Sequence, residues 1–338
     1  MSGLRRFTYL VIRRMLLWFF TLWIGLTVTF VISRASPIDP GAQLISRLVA
    51  YGANLRPEEL ELYKRQLLAL YGLDKPLWMQ YLSFLKGAFT LNFGPSFAFF
   101  PTSVNEIIAN SLLWTVILLV TSVVISWALG VILGVLSAVF EGRRFAKVLE
   151  GISIGLYPLP YTVLALVLFF LFAGVLPVYR GVGGALEAPS LSLSFITSAM
   201  SRVWLPALSM VILSTAWWLL STRGLAMSTK REDFVKYAIL RGIPSKIVIR
   251  RYVFRNVLLP QVTALALQLG YIFTGALVTE YIFSYPGLGR LLALAVTNAD
   301  YNLMLGILTY SIMGVATAAL ILDLIYPLID PRIRYGGG

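Results

Sequence analysis

Few residues in this 338-residue chain could do chemistry, and their types narrow that chemistry quickly. There is no histidine and no cysteine. Cys/His zinc sites, haem ligated by His or Cys, thiol or imidazole catalysis and disulfide bridges are therefore excluded. Two carboxylates, Glu280 and Asp323, fall within or near long apolar runs, where acids often mark ion or proton pathways. Each sits close to the end of its run without a second acid to form a relay, so general acid/base and metal chemistry lack residues. No G-x-x-x-x-G-K-[ST] occurs, so the chain has no P-loop with which to cradle ATP. No cofactor and no metal site is implied. What remains is a polar stripe, Gln261, Gln268, Gly275 and Thr279, spaced so that a helix of about 3.6 residues per turn places all four on one face. Amides facing lipid are costly, so this face lines a solute pathway or serves interhelical hydrogen bonding and small-residue packing.

The elements that must position these groups are set by composition. The chain is 58% hydrophobic and 13% charged, with a mean hydropathy of +0.81. Soluble domains run about 45–50% apolar and ~25% charged. A helix needs roughly 20 apolar residues to cross a hydrocarbon core about 30 Å thick. Six runs qualify: Met15–Ser33, Ser111–Phe140, Ile152–Val178, Val203–Ser221, Val257–Phe283 and Leu303–Ile329. The expected fold is an all-α membrane protein of six transmembrane helices, since open sheet cannot satisfy its backbone in lipid. Trp18, Trp114, Trp204 and Tyr326 lie toward the ends of runs, as interfacial belts expect. The Gly130/Gly134 pair is the one interruption of the second run, while Pro158, Pro160 and Pro206 are expected to bend theirs. The first run is longer than the ~7–15 residues of a signal h-region and lacks a good cleavage site, so it reads as a retained helix.

The net charge of +13 follows sidedness. Segments 1–14, 141–151, 222–256 and the tail hold 18 Lys and Arg, against 3 in the two short loops opposite. By the positive-inside rule both termini are expected to be cytoplasmic. The basic residues do not gather on an aromatic platform, so nucleic acid is excluded as a partner. The expected organisation is a cytoplasmic N-terminus and first helix (1–33), an extracytoplasmic loop domain (34–110), a five-helix core (111–329) with a cytoplasmic loop at 222–256, and a cytoplasmic tail (330–338).

Two loops carry structure of their own. Pro57-Glu58-Glu59 opens a helix in which Leu60, Tyr63, Leu67 and Leu70 recur and Gly72 stops it. Pro76–Phe89 is amphipathic and aromatic-rich: a lid on the membrane surface, a dock for an extracytoplasmic partner, or both. In 222–256, Glu232 and Asp233 start a helical pattern through Phe234, Tyr237, Ala238 and Leu240, and Gly242 breaks it. Pro244-Ser245 restarts a second helix with Ile247, Val248, Val253, Phe254 and Val257 on one side and Lys246, Arg250, Arg251 and Arg255 on the other. Such an element is either a rigid unit that can be pushed or a basic interfacial helix on anionic membrane lipid.

At this loop the sequence resembles the permease subunits of ABC transporters, in the dipeptide/oligopeptide branch. The likeness to that branch's EAA loop rests on Glu232-Asp233-Phe234-Val235-Lys236, Ala238, Arg241-Gly242, Arg251, Arg255-Asn256 and Leu258-Leu259-Pro260. Ser36-Pro37-Ile38-Asp39-Pro40, Tyr71-Gly72-Leu73-Asp74-Lys75-Pro76 with Gln80-Tyr81, Glu280 through Gly289, and Asp330-Pro331-Arg332-Ile333-Arg334 resemble its other signatures, in the same order. The Glu-Ala-Ala triplet itself is absent, Tyr252 stands where a histidine is frequent, and 41–56 looks like an insertion.

The resemblance implies a type I importer permease in the cell membrane, itself no enzyme, paired with a second homologous permease subunit. It implies two ABC ATPase subunits that hydrolyse ATP and an extracytoplasmic solute-binding protein. Glu232, Asp233, Lys236, Ala238, Arg241, Gly242, Ile243 and Pro244 are then the expected ATPase-coupling residues, and Gln261, Gln268, Gly275 and Thr279 the candidates for the path. Di- and oligopeptides are the expected cargo, with oligosaccharides or chelated metal such as nickel as alternatives. An ion-coupled secondary transporter is the reading from another class, but it calls for inverted repeats and midplane acids that the sequence does not display.

Overall fold

Runs of Leu, Val, Ile and Phe tens of residues long have one economical conformation in lipid, and every extended element of the computed structural model is a helix among its described residues: 3–35, 42, 46, 56–179, 190, 192–270 and 276–329. Helix α1 spans Gly3–Ala35, α2 Pro57–Leu70, α3 Leu77–Thr90 and α4 Val104–Val139. Then come α5 (Arg144–Leu156), α6 (Tyr161–Phe169), a wider π-helical stretch (Phe170–Val175) and α7 (Leu193–Lys230). The loop that follows holds α8 (Asp233–Leu240), the single turn α9 (Ser245–Ile247) and a second π-helical stretch (Val248–Phe254). The chain continues through α10 (Arg255–Gly270), α11 (Leu277–Ile282), α12 (Leu288–Thr297) and α13 (Tyr301–Ile329).

The expectation of six transmembrane helices is corrected. Among the described residues four helices are long and apolar enough to cross a membrane, in α1, α4, α7 and α13, or five if the bent pair α5–α6 counts as one span. Two runs account for the difference. The run 152–178 bends by 98° between Leu156 and Tyr161. Pro158 and Pro160 there remove two backbone donors, and Pro160 is extended (φ −59°, ψ 125°). In the run 257–283 the described helical residues are those of α10, 16 residues or about 24 Å at ~1.5 Å per residue, and of α11, 6 residues, while 271–275 lie outside the described residues. Residues 1–2 and 330–338, to which the sidedness of the termini was assigned, lie outside the described residues, as does the insertion apart from 42, 46 and 56.

The chain divides into two compact units. Unit 1 holds 1–115, 273–277 and 286–338. In it α1 lies along α13, tied by Arg14 to Asp323 (2.5 Å) and by Trp18 Nε1 donating to Thr317 (3.3 Å). Near its C-terminal end α1 meets α3, with Phe30 stacked on Phe84 (5.7 Å) and Thr27 bonded to the Tyr81 hydroxyl (2.7 Å). Val104 and Ile108 at the start of α4 close over Leu288, Ala295, Leu303 and Ile307 of α12 and α13.

Unit 2 holds 116–272 and 278–285. There α4 and α7 approach closely because of glycine: a Cβ at Gly130 would stand 2.2 Å from the Trp218 Cβ, and one at Gly134 2.7 Å from the Leu219 carbonyl oxygen. The G-x-x-x-G spacing noted only as an interruption is thus a packing face. A buried hydroxyl chain, Ser209 to Tyr161 (2.9 Å) to Thr279 (2.6 Å), joins α7, α6 and α11.

Candidate functional site

The loop after α7 is built as an elbow. Helix α7 ends at Lys230, whose ammonium donates to the Ala138 carbonyl (2.9 Å) and reaches Glu141 (3.4 Å), tying this end to the end of α4. Seven residues earlier on α7, about two helical turns, Arg223 pairs with Glu150 of α5 (3.0 Å). Glu232 is extended (φ −67°, ψ 145°) and its carbonyl accepts from the Val235 and Lys236 amides, which starts α8. Helix α8 stops eight residues later at a Schellman turn: the Gly242 amide bonds to the Ile239 carbonyl, and Ile243 bonds to Ala238. Gly242 is left-handed (φ +72°), and a Cβ there would meet nothing within 4 Å. Conformation, not space, demands the glycine.

Val235 and Ala238 point inward, into a cluster with Val135 and Ala138 of α4, Ala226 of α7, and Val248, Val253 and Val257. Val248 and Val253 are five apart, which an α-helix would splay; the i→i+5 bonding of the π stretch brings them to one face. Lys246, Arg250, Arg251 and Arg255 are exposed as expected, but so is Ile247. Spacing alone puts Phe234, Tyr237 and Leu240 in one helical pattern with the buried Ala238. They face solvent instead, 43%, 67% and 81% exposed. Exposed apolar side chains grouped on one face are a feature that protein–protein contact surfaces share. Beside it, Gly224, Met227, Ser228, Arg231, Glu232 and Asp233 line an open hollow of about 490 Å³.

The expected coupling residues thus fall on one short segment. Glu232, Asp233 and Lys236 are exposed, the last two paired at 2.9 Å. Arg241, Gly242 and Pro244 are exposed on the turn, Ile243 is half-buried against the cluster, and Ala238 is the buried anchor. Lys230 is not singled out by the sequence, and Val235, Phe234, Tyr237 and Leu240, though part of its helical pattern or EAA-loop likeness, are not among the expected site residues. Two exposed aromatics within four residues of a Glu-Asp start were the available signal.

The path candidates are not held together in the same way. Gln261 is buried; its amide donates to Ser221 (3.3 Å) and its backbone carbonyl accepts from Trp127 (3.2 Å). Thr279 is buried on the Tyr161 hydroxyl and belongs to α11, not to α10. Gln268 is half-buried on α10, and Gly275 lies outside the described residues. Asp323, the inner acid, is taken up by Arg14, while Glu280 is fully buried in α11.

Residues 130–335 match the family of binding-protein-dependent transport system inner membrane components, and 6–100 match the N-terminal module of such membrane components. Similar curated proteins extend over nearly the full length. The dipeptide transport system permease protein DppB of Escherichia coli (strain K12) is 30% identical over 332 residues, covering 93% of this chain and 95% of its own. The oligopeptide transport system permease protein AppB of Bacillus subtilis (strain 168) is 29% identical over 318 residues, covering 92% and 95%. The oligopeptide transport system permease protein OppB of Escherichia coli (strain K12) is 28% identical over 328 residues, covering 96% and 99%. A chain with apolar spans, a solvent-turned elbow and a family match over more than half its length belongs to the binding-protein-dependent inner-membrane component family, as a multi-pass, non-catalytic permease subunit of an ABC importer in the cell membrane.

Proposed function

We propose that this permease carries di- and oligopeptides, handed to it by an extracytoplasmic solute-binding protein, and that it works beside a second homologous permease above two ABC ATPase subunits. The cargo reading rests on the names of the three relatives above, each a dipeptide or oligopeptide permease. The coupling reading rests on one observation: α8 is anchored by Val235 and Ala238 while Phe234, Tyr237 and Leu240 face out. The outward row seats in a partner ATPase, with Glu232, Asp233, Lys236 and Arg241 as its polar rim, and Gly242, Ile243 and Pro244 fix the turn behind it. Closure of the ATPases on nucleotide then moves the elbow, and through Lys230 and the valine cluster moves the ends of α4 and α7. The loop segment 34–110 faces the binding protein. Gln268 is the path candidate of choice, because it is half-buried on α10, whereas Gln261 is buried with its amide N–H on Ser221 and Thr279 is buried against the Tyr161 hydroxyl.

Phe234→Ser and Leu240→Ser test the coupling. In proteoliposomes with the partner subunits, each is expected to leave the unfolding midpoint unchanged and to cut ATP-driven uptake of labelled dipeptide at least tenfold. Wild-type uptake by both would overturn the docking role. Gly242→Pro forces φ to about −65° at a left-handed residue and is expected to uncouple hydrolysis from uptake. The cargo is tested with wild-type vesicles by offering labelled Ala-Phe, maltotriose and a nickel chelate; uptake of either of the last two without the first refutes the peptide assignment.

A further inference from the structure

Unit 1 contains a cavity of about 300 Å³ that neither the elbow nor the path candidates use. Its lining joins the C-terminal end of α1 to α3, the turns at 71–75 and 92–95, and α13. Arg34 is its strongest feature. The guanidinium lies over the rings of Phe30 (5.5 Å) and Tyr301 (5.2 Å), which fixes its plane. Its Nε is out of contact with solvent and has no hydrogen-bond acceptor. Lys75 brings a second positive charge to the lining, and no carboxylate is present among the lining residues.

Opposite in character is Gln80. Its amide nitrogen donates to the carbonyls of Leu73 (3.2 Å) and Lys75 (2.7 Å), which locks the side chain. The remaining oxygen, Oε1, is buried and unpartnered. A buried donor without an acceptor keeps its desolvation penalty, and so does a buried acceptor without a donor. Arg34 and Gln80 both line the cavity, whose other walls include Phe84 and Leu305.

We propose that this cavity binds a small molecule bearing an oxyanion, held by Arg34 and Lys75 with Gln80 beside them. A guanidinium held flat by two rings presents its edge to a carboxylate or phosphate as a fork, which an ammonium in its place cannot do. Two sources carry this chemistry, a short peptide with its carboxylate and ammonium, and the phosphoethanolamine headgroup of a lipid.

The test uses the full-length chain purified with its co-expressed partner subunits in phosphatidylcholine nanodiscs. Alanyl-alanine and O-phosphoethanolamine are titrated by calorimetry. In a parallel arm, phosphatidylethanolamine is added to the discs and retained lipid is read by native mass spectrometry. Saturable binding of the dipeptide assigns a solute site. Binding of phosphoethanolamine with retention of the lipid assigns a headgroup site. Either supports the proposal if Arg34→Lys weakens it about tenfold and Lys75→Met, at an exposed side chain removable without unfolding, about threefold. An absence of binding in both arms, or binding unchanged in both variants, overturns it.

Discussion

Two short helices, α3 in unit 1 and α8 in the elbow, end in the same pair of backbone hydrogen bonds with one left-handed residue between them. At α8 that residue is Gly242; at α3 it is Leu91 (φ 51°), whose amide bonds to Ala88 while Asn92 bonds to Gly87. The surroundings differ more than the turns do. Asn105 donates to the Leu91 carbonyl, the Asn92 side chain accepts from Gly94, Val104 bonds to Gly94 (3.0 Å) and Asn302 to Pro95 (3.1 Å). Around Gly242 there is open space, and α8 is held by little more than Val235 and Ala238. A segment fixed on all sides can carry a side chain in a strained conformation. One anchored chiefly by two small residues has fewer such ties, as the lever proposed for the elbow requires.

The comparison breaks most visibly at Asp300, the buried centre of the fixed region. Its carboxylate accepts from the Ser96 hydroxyl and the Ala98 amide (2.9 Å), and from the Leu303 amide (3.0 Å) as the N-cap of α13. Tyr71 packs on Phe97 beside it and donates to the Ser96 carbonyl. Burial, with Asp300's charge adding to it, pushes the phenol up to about 12, so that it stays a donor at any physiological pH. Asp300→Ala strands three donors at once. With each worth roughly 1–3 kcal/mol, the loss is expected to be about 3 kcal/mol or more, seen as a collapse of the unfolding midpoint or of assembly in detergent. Asp233→Ala in the elbow removes a carboxylate that is 82% exposed and paired only with Lys236. It is expected to cost no more than about 0.5 kcal/mol. Equal losses would mean that the elbow is as firmly built as the loops of unit 1.

The next effect in size concerns what the elbow is mounted on. Gly134→Val places a branched side chain where a Cβ alone would already be 2.7 Å from Leu219 O and from the Thr222 Cβ. Overpacking of this kind costs about 1–3 kcal/mol. Because α4 and α7 also carry Lys230 and the valine cluster beneath α8, the variant is expected to lower both the midpoint and the uptake, with nucleotide binding by the partner ATPases intact. Unimpaired uptake would show that the two helices need not approach closely for the elbow to act.

Local signals carried the reading of α2, α3 and α8. Pro57, Gly72 and Gly242 mark starts and stops because cap chemistry is written within a few residues, and the structure puts helix ends at those places. What failed depended on partners distant in sequence. The hydropathy of 257–283 does not tell a continuous span from α10 and α11, and it cannot show that Gln261 spends its amide on Ser221, 40 residues away. Periodicity grouped Phe234, Tyr237 and Leu240 with Ala238 because apolar residues look alike whether they meet their own chain or another. The Tyr161–Thr279 bond joins residues 118 apart and leaves no local mark. Asp300 could have been found: an aspartate three before Leu303, just ahead of a long apolar run, is an ordinary N-cap signal.

The smallest effect is the sharpest test of the two turns. A left-handed conformation costs a residue with a Cβ roughly 1–2 kcal/mol, and glycine in its place removes that cost while adding entropy to the unfolded chain. Leu91 is 36% exposed, so little packing is lost with its side chain. Leu91→Gly is therefore expected to leave stability unchanged or to raise it by up to about 1 kcal/mol. Gly242→Ala runs the other way. With nothing within 4 Å of the new Cβ, the penalty is conformational alone, and about 1 kcal/mol should be lost at the elbow. The two variants, measured by thermal unfolding in the same detergent, should move in opposite directions. If Gly242→Ala is silent while Leu91→Gly destabilises, then the loop around Leu91 depends on the leucine side chain, and the elbow is tolerant of more shapes than a rigid lever allows.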